Sequence, residues 1–344
     1  MKHPSTSVRT CGRSASEMDD VHQAVEHVAG PTRLPPRGDA PIVVSLMRDA
    51  EVYIEAFIHH YRRLGCEHIV LLDNGSTDRT VDRACADRAV TVLRAALPFA
   101  DYKRPMRRYL SRRFSSDRWC LCVDIDEFFD YPGSDTITIG EFLRYLERHD
   151  FTAVVAQMLD LFPARLTSGL DTSGKSFRRH DRFYDLSAVE RRPYVVTDNQ
   201  LPDPPPHMYF GGIRKTLFGF APWLTKHPLF FCDERIVPFA ADSHCVQGAR
   251  VADVTAVLYH YKFAGDFLAR VARAVREGNY YRDSLEYRHY DKVLRVAPRQ
   301  FIRRPSSREL RAVSDLIDCG FLVVSDRFSR YVARLRCRKS SPRR

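Results

Sequence analysis

A chain of 344 residues with 44% hydrophobic and 28% charged residues is long enough to bury one large core, and its composition excludes a disordered or fibrous protein. The net charge of +11 is uneven: residues 301–344 hold twelve Lys or Arg against four Asp or Glu, so the body is only mildly basic. The nine cysteines form no CxxC pair and no Cys/His cluster with zinc spacing, and no apolar run of about 18 residues occurs. These features predict a cytoplasmic protein with thiols as small buried hydrophobes, no secretory leader and no membrane-spanning helix.

Residues 1–38 are polar and end in Pro31, Pro35, Pro36 and Gly38, a composition that predicts a flexible extension and a linker. The body, residues 39–300, starts with Pro41–Met47, a short apolar run rich in β-branched residues and so a buried strand. Ile54, Phe57, Ile58, Tyr61 and Leu64 then repeat at helical spacing, and Gly65 is the natural stop. His68–Asp73 reads as a second strand ending in the turn Asn74-Gly75-Ser76, with a helix to about Ala86. Val90–Leu93 is a third strand, and a helix over Met106–Phe114 follows.

Arg118–Asp124 is a fourth strand that delivers Asp124-Ile125-Asp126-Glu127 at its carboxyl end. Thr138 and Glu141 form a capping-box pair before a helix to Arg148, and Phe151–Met158 is a fifth strand. This alternation predicts an α/β fold with a mostly parallel sheet, helices on both faces and ligands outside the carboxyl ends of the strands. Beyond residue 160 the pattern weakens. Leu201–Pro206 must be an irregular loop, Ile213–Phe218 and Val254–Tyr261 are strand-like, and Phe263–Arg276 is helical. In the basic tail, 301–344, Phe328, Tyr331, Val332 and Leu335 share one helix face, with Arg327, Arg330, Arg334 and Arg338 largely elsewhere.

Clustered carboxylates at the end of an apolar strand repel one another unless something positive compensates. Hard divalent cations such as Mg²⁺ or Mn²⁺ prefer such oxygen ligands, commonly one or two carboxylates plus substrate phosphates. Asp124 and Asp126 are therefore candidate metal ligands for chemistry on a diphosphate, and strand alternation would turn Glu127 to the other side. After the second strand, Asn-Gly makes a tight turn and Ser76 or Thr77 can cap a helix, while Asp73 at the sheet edge could accept a hydrogen bond from a nucleobase.

The order VVSLMRDAEVYIEAFIHHYRRLGCEHIVLLDNGSTDRT followed by WCLCVDIDEFF resembles glycosyltransferase family 2 and its close relatives, over about residues 41–131. The resemblance implies a GT-A fold, a nucleotide-diphosphate sugar donor (a UDP-sugar first), Mg²⁺ or Mn²⁺, and inversion at the sugar carbon. Carried over, Asp73 would contact the base, Asp124 the ribose or metal side, and Asp126 would be the main metal ligand. Arg48-Asp49 stands where relatives show Asn-Glu, so Asp49 takes the donor-side carboxylate at shorter reach. Such enzymes often add a histidine ligand from the C-terminal half, for which His260, at a strand end, ranks above His244. Lys226, Lys215 and Arg214 could balance a diphosphate. The acceptor base could be Asp160, Asp203, Asp233 or Asp242, with Asp233 taken first.

Other readings stay open. CVDIDEFF superficially fits a phosphatase or phosphotransferase with an aspartate nucleophile. Met47-Arg48-Asp49-Ala50 lacks the glycines of a nucleotidyltransferase phosphate loop. A pI near 9.3 admits a basic lipid- or nucleic-acid-binding protein, but aromatic residues are sparse in the tail. The expected partners are the donor, a glycan or lipid-linked acceptor, and the inner face of an anionic membrane through the tail, with no nucleic acid.

Overall fold

The computed structural model describes residues 10–34, 38–165, 177–239, 244–265, 267–278, 281–296 and 302–340. Nine strands form the central sheet: β1 Glu26–Ala29, β2 Ile42–Met47, β3 His68–Asp73, β4 Val90–Arg94, β5 Trp119–Cys122, β6 Glu127–Asp130, β7 Ala153–Asp160, β8 Thr225–Phe231 and β9 Ala256–His260. Their order across the sheet is β1-β4-β3-β2-β5-β8-β7-β9-β6. Six strands run one way, and β1, β6 and β8 run against them. This is the mostly parallel, Rossmann-like α/β sheet that the alternating pattern predicts.

Strand alternation divides the core into two layers. Val43, Ile69 and Leu71 point to one face, where α2 (Ile54–Leu64) and α5 (Ile139–Arg148) cover them. Ile42, Val44, Val70 and Leu72 point to the other and meet Met106, Leu110 and Phe114 of α4 (Phe99–Ser115). Gly65 ends α2 with φ 90, the left-handed conformation that glycine adopts without cost. The Thr138–Glu141 capping box forms as expected.

Three expectations are corrected. Residues 10–34 include a helix, α1 (Thr10–Ala24), and the edge strand β1, which pairs antiparallel with β4. The polar composition of this stretch conceals one apolar face, on which Val21 is fully buried beside Met18, Ala24 and Val25. Ile213–Phe218 is a short helix, ended by Gly219 in the left-handed conformation, and it seats Arg214 in the interior. The chain also leaves β5 at Cys122, so residues 123–126 turn and strand alternation does not apply to Glu127.

Between β3 and β4 lies α3 (Thr80–Cys85), and a short helix, α6 (Phe177–His180), precedes the irregular loops. The Ile213–Phe218 helix is α7. It packs with α8 (Phe267–Glu277) and α9 (Tyr281–Val296) around Phe218, Phe263, Phe267 and Tyr290. The last segments, α10 (Val313–Asp318) and α11 (Asp326–Ser340), return to the main core through Leu316, Phe321 and the fully buried Phe328. Among the described residues no helix is long and apolar enough to cross a membrane.

Candidate active site

The strand directions gather charged residues at one edge of the sheet. Asp73, Asp160 and His260 close β3, β7 and β9, and Asp124 follows β5. Because β6 and β8 run the other way, Glu127 and Lys226 arrive at the same edge from strand beginnings.

The turn after β5 folds back on itself. The Glu127 amide donates to the Asp124 carbonyl at 3.0 Å, and the Glu127 carboxylate accepts from the Asp124 amide at 3.0 Å. Glu127, 1% exposed, therefore lies on the Asp124 side of the turn, against the alternation expected from a continuing strand. Lys226 binds both carboxylates, at 2.8 Å to Asp124 and 2.5 Å to Glu127. Arg107 of α4 donates to the second oxygen of Asp124, and Lys103, one turn earlier on the helix, adds its field. Burial alone would push the Asp124 carboxyl up, but Arg107, Lys103 and Lys226 outweigh it and hold the group well below the usual carboxylate range. Burial lowers the Lys103 ammonium to about 8, with Asp124 opposing part of that shift.

Asp126 faces a second cluster. β9 pairs His260 with Glu127 on one side and with Asp160 on the other. The His260 Nδ1 lies 2.6 Å from Asp160 and its Nε2 lies 3.3 Å from Asp126. An imidazolium satisfies both carboxylates, so His260 is raised although burial alone would lower it. Asp126 is held low by His260 against its own burial. Asp126, Glu127 and His260 present ligand atoms within 4.8 Å of one another. Two carboxylate oxygens and an imidazole whose other nitrogen is fixed by a carboxylate suit Mn²⁺ or Mg²⁺ as a donor set. Asp124 stands outside this group, with its oxygens on Arg107 and Lys226. Of the expected ligands, Asp126 and His260 come together, and Glu127 joins them.

The remaining candidates fall elsewhere. Asp73 is fully buried and accepts from the amides of Gly75 at 3.3 Å and Ser76 at 3.1 Å, with Arg94 at 3.5 Å. Its carboxylate closes its own turn instead of projecting toward a base. Asp49, with φ 45, accepts from Thr77 at 2.8 Å and pairs with Arg273 of α8 at 2.9 Å. Asp233 is corrected as the acceptor base: β8 pairs Phe231 with Trp119, so Asp233 lies at the opposite end of the sheet, where Arg235 binds it at 2.7 Å. Asp160 is engaged by His260 and by Arg214 at 2.8 Å. Asp203 is exposed, Lys215 pairs with Glu190 on the surface, and Asp242 lies outside the described residues. His244 lies tilted against Trp223, ring centroids 5.5 Å apart, and is not among the Asp126, Glu127 and His260 ligand atoms, although the charges of Lys226, Lys103, Arg107 and Asp124 reach it. Lys103 and Arg107 were not singled out by the sequence. Their i,i+4 spacing was the available signal, but the expected helix began only at Met106.

No family model matches the chain and no curated protein matches it. A structure comparison finds similarity to the mannosyltransferase PcManGT from Pyrobaculum calidifontis, in complex with GDP-Man and Mn²⁺. That match has 16% identity and a TM-score of 0.28 and covers 42% of this chain and 43% of that one, so this chain matches under half the length of that protein. A likeness of that degree carries no functional weight.

Proposed function

We propose that this protein is a metal-dependent glycosyltransferase of the GT-A type. It moves a sugar from a nucleotide-diphosphate donor, tested first as a UDP-sugar, to a glycan or lipid-linked acceptor, with inversion at the sugar carbon. One observation carries the reading: a carboxylate–histidine group, Asp126, Glu127 and His260, adjoins three basic side chains, Lys103, Arg107 and Lys226, at the carboxyl edge of a mostly parallel sheet. Asp126, Glu127 and His260 would hold Mn²⁺ or Mg²⁺, which when bound supplies charge neutralisation to the departing diphosphate. Lys103 and Lys226 add positive charge beside it, and Arg107 keeps Asp124 ionised and fixed. Asp160 keeps the His260 Nδ1 proton in place, which leaves Nε2 for the ligand side.

The same reading includes contact with an anionic membrane surface. It is supported by Arg327, Arg330, Arg334 and Arg338, which are exposed along α11 while Phe328 anchors the helix in the core.

Calorimetric titration of UDP and GDP, each with Mn²⁺ and with EDTA, tests the reading on the wild type and on Asp126→Ala. Metal-dependent binding that the substitution abolishes is the expected result. A folded wild type that binds neither nucleotide sinks it.

A further inference from the structure

From the His260 imidazole a file of buried charges runs away from the acidic turn. Asp160 holds Nδ1 with one oxygen, and its other oxygen lies 2.8 Å from the Arg214 Nε. Arg214, on α7, reaches on to Glu286 of α9 at 2.9 Å. Glu286 also accepts from the Tyr290 hydroxyl and lies 3.9 Å from Lys262, two residues beyond His260. Asp160 and Arg214 have almost no exposed side-chain surface, whereas Glu286 is 25% exposed. The helix that carries Glu286 is bound to α7 and α8 by ring contacts, Phe218 to Tyr290 at 4.4 Å and Phe267 to Tyr290 at 5.6 Å.

Lining up three buried charges and a partly exposed fourth in one file is not a favourable way to hold two helices together. Paired interior charges contribute little net stability compared with apolar residues of the same size. What such a file does well is fix orientation, because each link in a low-dielectric interior constrains the next. Asp160 divides its two oxygens between an imidazole and a guanidinium. If Glu286 is removed, Arg214 draws more heavily on Asp160, and the grip on the His260 Nδ1 loosens.

We infer that Arg214 and Glu286 are positioning residues for His260, so that the seating of α9 is linked to the loading of the metal centre. The inference rests on the metal reading of Asp126, Glu127 and His260 given above. Linkage is reciprocal: if α9 tightens the centre, the bound ion tightens α9.

The test is an electron paramagnetic resonance titration of Mn²⁺ on the full-length protein and its variants, with amide hydrogen exchange on α9 with and without Mn²⁺. Glu286→Ala should weaken Mn²⁺ binding about tenfold, the scale of groups that orient a ligand from behind. Glu286→Gln, whose carbonyl oxygen still accepts from Arg214, should stay within about threefold of the wild type. Arg295→Ala, which removes an exposed pair with Asp291 on the same helix, should leave the affinity unchanged. Mn²⁺ should slow exchange across α9 in the wild type and not in Glu286→Ala. A folded Glu286→Ala that binds Mn²⁺ as the wild type does overturns the inference while leaving the metal reading intact. If that variant does not fold, wild-type exchange decides, and α9 protection indifferent to Mn²⁺ overturns the linkage. A wild type that binds no Mn²⁺ removes the metal reading itself, and the inference falls with it.

Discussion

At the carboxyl end of β3, Asp73 stays fully buried by accepting hydrogen bonds from amides two and three residues further on. At the end of β5, Asp124 is held by Arg107, 17 residues earlier, and by Lys226, 102 residues later. Both turns are acidic and both lie at the same edge of one sheet. In the first, the carboxylate is closed by the next amides along the chain, with Arg94 of the neighbouring strand at 3.5 Å, while Asn74 donates to the carbonyls of Ala95 and Leu97 and Thr77 donates to Asp49. The second draws its balancing charge from three distant elements, α4, β8 and β9. A carboxylate satisfied by its own turn is structural. One balanced by cationic side chains from distant elements can exchange those partners for a ligand, and this difference separates the two turns more clearly than their composition does.

The largest effect expected from this contrast is on stability. Lys226→Met leaves Glu127, 1% exposed, without its cation, and stripping one partner from a buried pair costs about 3–5 kcal/mol. Urea denaturation of the variant measures it, and a loss below about 1 kcal/mol would show that the turn is neutralised by other means. Next comes Asp126→Ala, which removes a ligand and should lower transferase activity at least about 100-fold, roughly 2.7 kcal/mol of barrier, in a protein that still folds. Product formation with saturating Mn²⁺ checks it, and activity near the wild-type level would move the centre away from Asp126.

Asp73→Ala sharpens the comparison from the other side. It orphans two amides in a half-buried turn, at a cost of about 1–3 kcal/mol. It should leave nucleotide affinity within about twofold, since that carboxylate is engaged by the amides of its own turn. Thermal denaturation beside calorimetry separates the two readouts. Lost UDP or GDP binding at unchanged stability would restore the base-contacting role that the family resemblance implies for Asp73.

How much of this was legible follows from the same distinction. β2, β3 and β5 are continuous apolar runs, because strands covered on both faces have no polar side, and each is visible in sequence. The DIDE and DNGSTD turns are equally visible, being local. β8 is not. Its sequence TKHPLFF places Lys226 and His227 inside a buried strand, where they break the apolar run that would reveal it. Lys226 is tolerated there because Asp124 and Glu127 receive it, and those partners lie about a hundred residues back. The direction of β8 was hidden with it, which is why Asp233 seemed eligible for a site at the other end of the sheet. The helix of Arg214 was misread for the same reason: a residue paired with Asp160 and Glu286 does not announce its partners locally.

A third carboxylate marks the far end of this scale. Asp181 is 2% exposed, and one of its oxygens has no partner. Burial raises its pKa to about 8, with Arg270 opposing only part of the rise. The unfolded chain ionises this group near 3.8, so at intermediate pH the folded state holds a proton that the unfolded state has released. Stability associated with Asp181 is therefore fully present below pH 3.8 and is lost as pH rises toward 8, by up to about 1.4 kcal/mol per unit. Asp181→Asn removes the ionisation and should flatten that slope, leaving the variant more stable than the wild type at pH 8. Urea denaturation at pH 6, 7 and 8 compares the two. Parallel slopes would mean that Asp181 has a cation close enough to keep it ionised, and would place it with Asp124 among the remotely balanced carboxylates.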